Sequence, residues 1–94
     1  MLTAGLLAAG AAQAADVERG RALTERWCAG CHVTGTGVAG GDAGPPLAML
    51  TGDVAASDAA LTAWLTEPHE TMPDLGLTPP EIRDIVAYIR SLPR

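Results

Sequence analysis

The chain has 94 residues, enough for one domain and too few for two. Its six basic residues are all arginine and stand against eleven acidic ones, a formal charge of −5, which excludes binding to nucleic acid or anionic lipid through bulk charge and favours a partner with a basic docking surface. With two Trp, one Tyr and no Phe, a core of side chains alone is thin at this length, so something else is expected to supplement it.

Residues 1–15, MLTAGLLAAGAAQAA, are uncharged, apolar and short of a comfortable bilayer span. They end in Ala12-Gln13-Ala14, a small-x-small pattern suited to a signal peptidase, although no basic n-region precedes it. The expectation is a cleaved leader, residues 1–15, exporting a domain of residues 16–94 to the periplasm with no membrane span left; an uncleaved anchor or an Ala-rich tail are the other readings. Asp16 then caps a predicted helix with Glu18 in its first turn and Val17, Leu23 and Trp27 as apolar contributors. Residues 33–53 read as irregular loop, because Gly35, Gly37, Gly40-Gly41 and Gly44-Pro45-Pro46 favour turns.

Ser57 or Asp58 begins a short second helix, with Leu61, Trp64 and Leu65 on one face and Pro68 stopping it. A loop from Pro68 to Leu77 holds His69 and Met72. Thr78-Pro79-Pro80-Glu81 supplies an N-cap, prolines for the first turn and a capping-box glutamate. Ile82, Ile85, Val86, Ile89 and Leu92 follow at helical spacing until Pro93. No strand signal appears. The expected fold is all-α, three to four helices joined by loops long enough to suggest that the chain wraps a large apolar group.

Cys28-Ala29-Gly30-Cys31-His32 is C-x-x-C-H, the attachment signature for c-type haem. Two thiols about one helical turn apart can each add to a vinyl group on one porphyrin edge, and the adjacent imidazole then reaches the iron. A thioredoxin-like C-x-x-C belongs near a βαβ pattern, which is not visible here. A zinc site of Cys28, Cys31, His32 and His69 satisfies the ligand count, but Cys31 and His32 are neighbours and strain to reach adjacent corners of one tetrahedron.

Beyond that motif, the chain resembles the small bacterial monohaem cytochromes c, with the haem motif near the N-terminus and a methionine near the C-terminus. The similarity spans nearly all of residues 16–94. Gly20 matches the glycine at which the first and last helices cross, and Gly44-Pro45-Pro46-Leu47 resembles the G-P-x-L segment. Met72-Pro73, followed by Leu75, Leu77, Thr78, Glu81-Ile82 and Ala87-Tyr88-Ile89, is similar to the closing signature. The resemblance implies one covalent haem c, with His32 and Met72 as the axial ligands of its iron. It also implies that the Pro45 carbonyl accepts a hydrogen bond from the other nitrogen of His32, and that Tyr88 and the Ile85 face pack on the first helix near Gly20. Chain reach alone leaves Met49 open beside Met72, and His69 open as a replacement ligand; Trp27 and Trp64 read as core or haem-packing residues.

A six-coordinate His/Met iron implies an electron carrier and not an enzyme. It would shuttle single electrons between a dehydrogenase or quinol-oxidising complex and a terminal acceptor, as a monomer or as an enzyme subunit. A haem catalyst or gas sensor with an open sixth position is the alternative, and it lacks a distal acid–base pair beyond His69. The chain has no lysine-rich face of the mitochondrial kind, so the docking rule of those relatives does not carry over, and any helix between residues 47 and 57 is expected to be vestigial.

Overall fold

Asp16 starts the first helix by accepting the amide of Arg19 on its carboxylate at 3.0 Å. In the computed structural model, which describes residues 15–35, 40–51, 57–67 and 72–93, this helix, α1, runs Val17–Trp27, with Glu18 in its first turn and Arg26 in its last. A 3₁₀ turn follows at Leu47–Thr51, then α2 at Asp58–Thr66 and α3 at Pro79–Ser91. An isolated antiparallel bridge joins Val33 and Gly40. The fold is therefore all-α, and the short 3₁₀ turn is what occupies residues 47–51. The expected leader, up to residue 14, lies outside the described residues, as does the stretch 68–71 that carries His69.

The capping box of α3 is formed as its sequence prescribes. The Thr78 amide donates to Glu81 at 2.8 Å, the Glu81 amide returns to the Thr78 hydroxyl, and prolines fill the first turn. This helix is the hub, packing against α1, α2 and the 3₁₀ turn. Ile82, Ile85, Val86 and Ile89 join Cys28, Leu47 and Leu61 in one buried aliphatic cluster, edged by Leu23, Leu50, Leu65, Leu77 and Leu92.

α1 crosses α3 at Gly20. A Cβ there would collide with the Asp84 carbonyl and stand 2.8 Å from the Tyr88 Cβ, so the backbones approach too closely for any side chain. Asp84 closes the same crossing from the other side: its buried carboxylate accepts the Asp16 amide at 2.8 Å and lies 3.7 Å from Arg19. Arg90 at the end of α3 pairs with Asp58 at the start of α2.

Two expectations about helix faces need correction. α1 buries Gly20 and Thr24, with Leu23 half-buried, whereas Val17 and Trp27 are exposed. A close helix crossing selects small side chains at the contact, so the bulky apolar residues fall on its shoulders. In α2 only Leu61 is fully buried; Leu65 lies under the same edge and Trp64 is 57% exposed. At 100° per residue, position 65 stays nearer the direction of 61 than position 64 does.

Candidate functional site

The site begins where α1 ends. Cys28 is the C-cap residue, its amide bonded to the Thr24 carbonyl at 2.8 Å. The Cys28 carbonyl in turn accepts the amides of Cys31 at 3.1 Å and His32 at 2.9 Å. That single tight turn gathers both cysteines and the histidine at the helix end. Cys28 is buried and Cys31 exposed, neither in a disulfide. Burial pushes the Cys28 thiol up from its ordinary pKa, which keeps it protonated at neutral pH.

A second segment is laced across this turn by backbone bonds: Gly41 to Ala29 at 2.8 Å, Gly44 to Cys31 at 2.7 Å, and Leu47 to Val33 at 3.0 Å. Glycine is what permits the approach. A Cβ on Gly44 would run into the imidazole of His32, 2.8 Å from Nδ1 and 2.9 Å from Nε2. Gly40 takes a φ of +120° against the His32 carbonyl. The segment thereby brings the Pro45 carbonyl oxygen to 2.6 Å from Nδ1 of His32. A carbonyl only accepts, so Nδ1 carries the proton and Nε2 keeps its lone pair for a metal.

Met72 is half-buried in a shallow recess with Trp64, Leu65, Leu75 and Leu77. Asp74 accepts the Gly76 amide at 2.9 Å and Gly76 adopts a φ of +66°, a turn that carries the chain from Met72 into α3. Met49, on the 3₁₀ turn, is 64% exposed. The structure thus brings Cys28, Cys31, His32 and Pro45 into one cluster and places Met72 in a separate loop beside α2. The roles of Gly40, Gly41 and Gly44 as a cradle for the motif were not read from the sequence, where Gly40-Gly41 signalled only turns and Gly44 entered only as the first residue of the segment resembling G-P-x-L.

These residues fit a covalently held iron porphyrin. Two free thiols flank one turn, the one imidazole among the described residues is oriented through Nδ1 with Nε2 left for a metal, and Trp27, Met49 and Trp64 are exposed apolar side chains of the kind a bound macrocycle would cover. Among the described residues no three His, Cys, Asp or Glu side chains gather as a metal-binding group, so the zinc reading finds no support there. No described helix is long and apolar enough to cross a membrane.

Residues 15–89 match a family model described as cytochrome C oxidase, cbb3-type, subunit III. Cytochrome c-552 of Bradyrhizobium diazoefficiens is 42% identical over 83 residues, covering 86% of this chain and 79% of that protein. No solved structure matches the chain significantly.

Proposed function

The chain belongs to the cytochrome c family, as an electron carrier with covalently attached haem c and not an enzyme, and from that premise we propose that Cys28 and Cys31 form its two thioethers while His32 and Met72 ligate the iron. When bound, the haem supplies a reversible one-electron change at its iron. Cys28 and Cys31 would hold the haem through thioethers, each S–H adding across one vinyl group, sulfur to one carbon and hydrogen to its neighbour, with nothing released. His32 binds through Nε2, and the Pro45 carbonyl at Nδ1 fixes the ring and enriches its donor strength. Met72 contributes a thioether, a weak donor that favours ferrous iron and raises the potential relative to a second imidazole. The buried cluster that joins Cys28 to Leu47, Leu61 and Ile85 would give one side of the haem an apolar neighbour, which disfavours the extra charge of the ferric state.

The observation that carries this reading is the C-x-x-C-H turn with Nδ1 of His32 bonded to Pro45. Charge favours a basic redox partner: the whole stretch from residue 27 to 82, which contains the site, has no Arg or Lys, yet carries Asp42, Glu67 and Asp74 among its acids. Export to the periplasm after removal of residues 1–15 places the cysteines where haem attachment takes place and completes the proposal.

The test is the mass and spectrum of the exported protein made in a haem-attaching host. The expected result is a polypeptide heavier by one haem, with a reduced low-spin spectrum and the weak far-red band of ferric methionine-ligated haem. Met72→Ala should abolish that band and Met49→Ala should leave it. A colourless protein with only its polypeptide mass overturns the reading, and loss of the band in Met49→Ala alone reverses the ligand assignment.

A further inference from the structure

Tyr88 is the single tyrosine of the chain and sits on α3, remote in sequence from the candidate site. Its Cβ lies at the Gly20 crossing, and for that contact a phenylalanine would serve as well. The hydroxyl has a different partner. It donates to the Thr34 carbonyl at 2.5 Å, across 54 positions, in a buried setting where Thr34 is 7% exposed.

Thr34 stands two residues past His32. Between them Val33 accepts the Leu47 amide at 3.0 Å and bridges to Gly40. Leu47 stands two residues past Pro45, whose carbonyl meets Nδ1 of His32. Three hydrogen bonds, linked by short stretches of backbone at 33–34 and 45–47, therefore connect the α3 hydroxyl to the imidazole. We propose that Tyr88 is a positioning residue for the axial histidine, its hydroxyl anchoring the segment that sets the Pro45–His32 bond and with it the donor strength of His32. The proposal rests on the reading of His32 as an iron ligand. Burial, followed by the charges of Glu25 and Glu18, pushes the Tyr88 phenol up, so it remains a donor throughout the neutral range.

The test compares Tyr88→Phe with Asp84→Asn in the exported, haem-loaded protein. Asp84→Asn disturbs the α1–α3 crossing, whereas Tyr88→Phe keeps the contact there and strips the Thr34 carbonyl of its donor. Both are expected to lower the thermal midpoint. Only Tyr88→Phe should shift the redox equilibrium: a weaker bond at Nδ1 leaves the imidazole less electron-rich, and the ferrous-to-ferric ratio at a fixed mediator potential should rise about two- to fivefold. The same variant should displace the paramagnetically shifted ring resonances of His32, which Asp84→Asn leaves in place.

Because there is one tyrosine, biosynthetic replacement by fluorotyrosine alters Tyr88 alone. It strengthens the O–H donor with the packing kept, so it should move the ratio the opposite way even where Tyr88→Phe does not fold. An unchanged ratio with both replacements, or an equal shift in Asp84→Asn, reduces Tyr88 to a packing residue and overturns the proposal. A wild-type spectrum without any iron-shifted His32 ring resonance instead overturns the ligand reading beneath it.

Discussion

Gly44 shows how a residue without a side chain can direct chemistry. Its α-carbon faces the His32 imidazole so closely that the smallest addition must push the ring or the segment aside. Gly44→Ala is therefore expected to weaken the proposed bond from His32 to iron while leaving the proposed thioethers intact. The visible spectrum of the variant should show covalent haem with a raised high-spin fraction, and an unaltered low-spin spectrum would mean the segment yields without disturbing the ring. At this scale the sequence was legible where chemistry is carried by a reactive side chain: Cys28, Cys31 and His32 announce themselves by type and spacing. It was opaque where geometry decides. Thr24, fully buried in α1 with its hydroxyl returned to the Arg21 carbonyl at 2.9 Å, and the exposed Trp27 run against their hydropathy, because the close α1–α3 crossing rewards small volume and pushes bulk outward.

Among the elements, α3 carries the clearest local instructions and the most burial. Thr78→Ala removes a helix cap and should cost about 1 kcal/mol in chemical denaturation of the haem-loaded protein. The partner group gives that loss a pH signature. Hydrogen bonds from the Thr78 backbone and hydroxyl hold the Glu81 carboxyl below its ordinary pKa. A carboxyl lowered in the folded state contributes stability above its unfolded pKa and loses it as pH falls through the folded value. The difference between wild type and Thr78→Ala should thus be full at neutral pH and shrink below about pH 4.3; a difference that stays constant down to strongly acidic solution would contradict the box. The bounds of α2 and α3 were legible for the same reason, since Ser57 caps the one and Thr78-Pro79-Pro80-Glu81 the other. The link from residue 33 to residue 47 was not, because its bonds run between backbone groups that no side-chain pattern encodes.

Over the whole molecule, charge is sorted by position. The described arginines sit on α1 and α3, where Arg19, Arg21 and Arg90 pair with Asp84, Glu18 and Asp58. The loops that bear the candidate site are left acidic. Small redox reagents read that field directly: reduction by a cationic complex should slow as ionic strength rises past about 0.1 M, and reduction by an anionic one should quicken. Stopped-flow rates that ignore salt for both reagents would show that the field at the site is neutral. The loop-rich design also fits the composition, for a chain so poor in aromatics gathers its described interior around buried aliphatic side chains and Cys28.

The clasp between the Asp16 amide and the Asp84 carboxylate joins positions 68 apart. Contacts this distant form late, after the cost of closing a long loop has been met. On the proposed route of export, an N-terminus-first chain would present the cysteine-histidine turn well before α3, the helix that completes the crossing. Both sulfurs would then stand open to haem attachment while the segment has no partner to fold against, and closure of the two helices would follow.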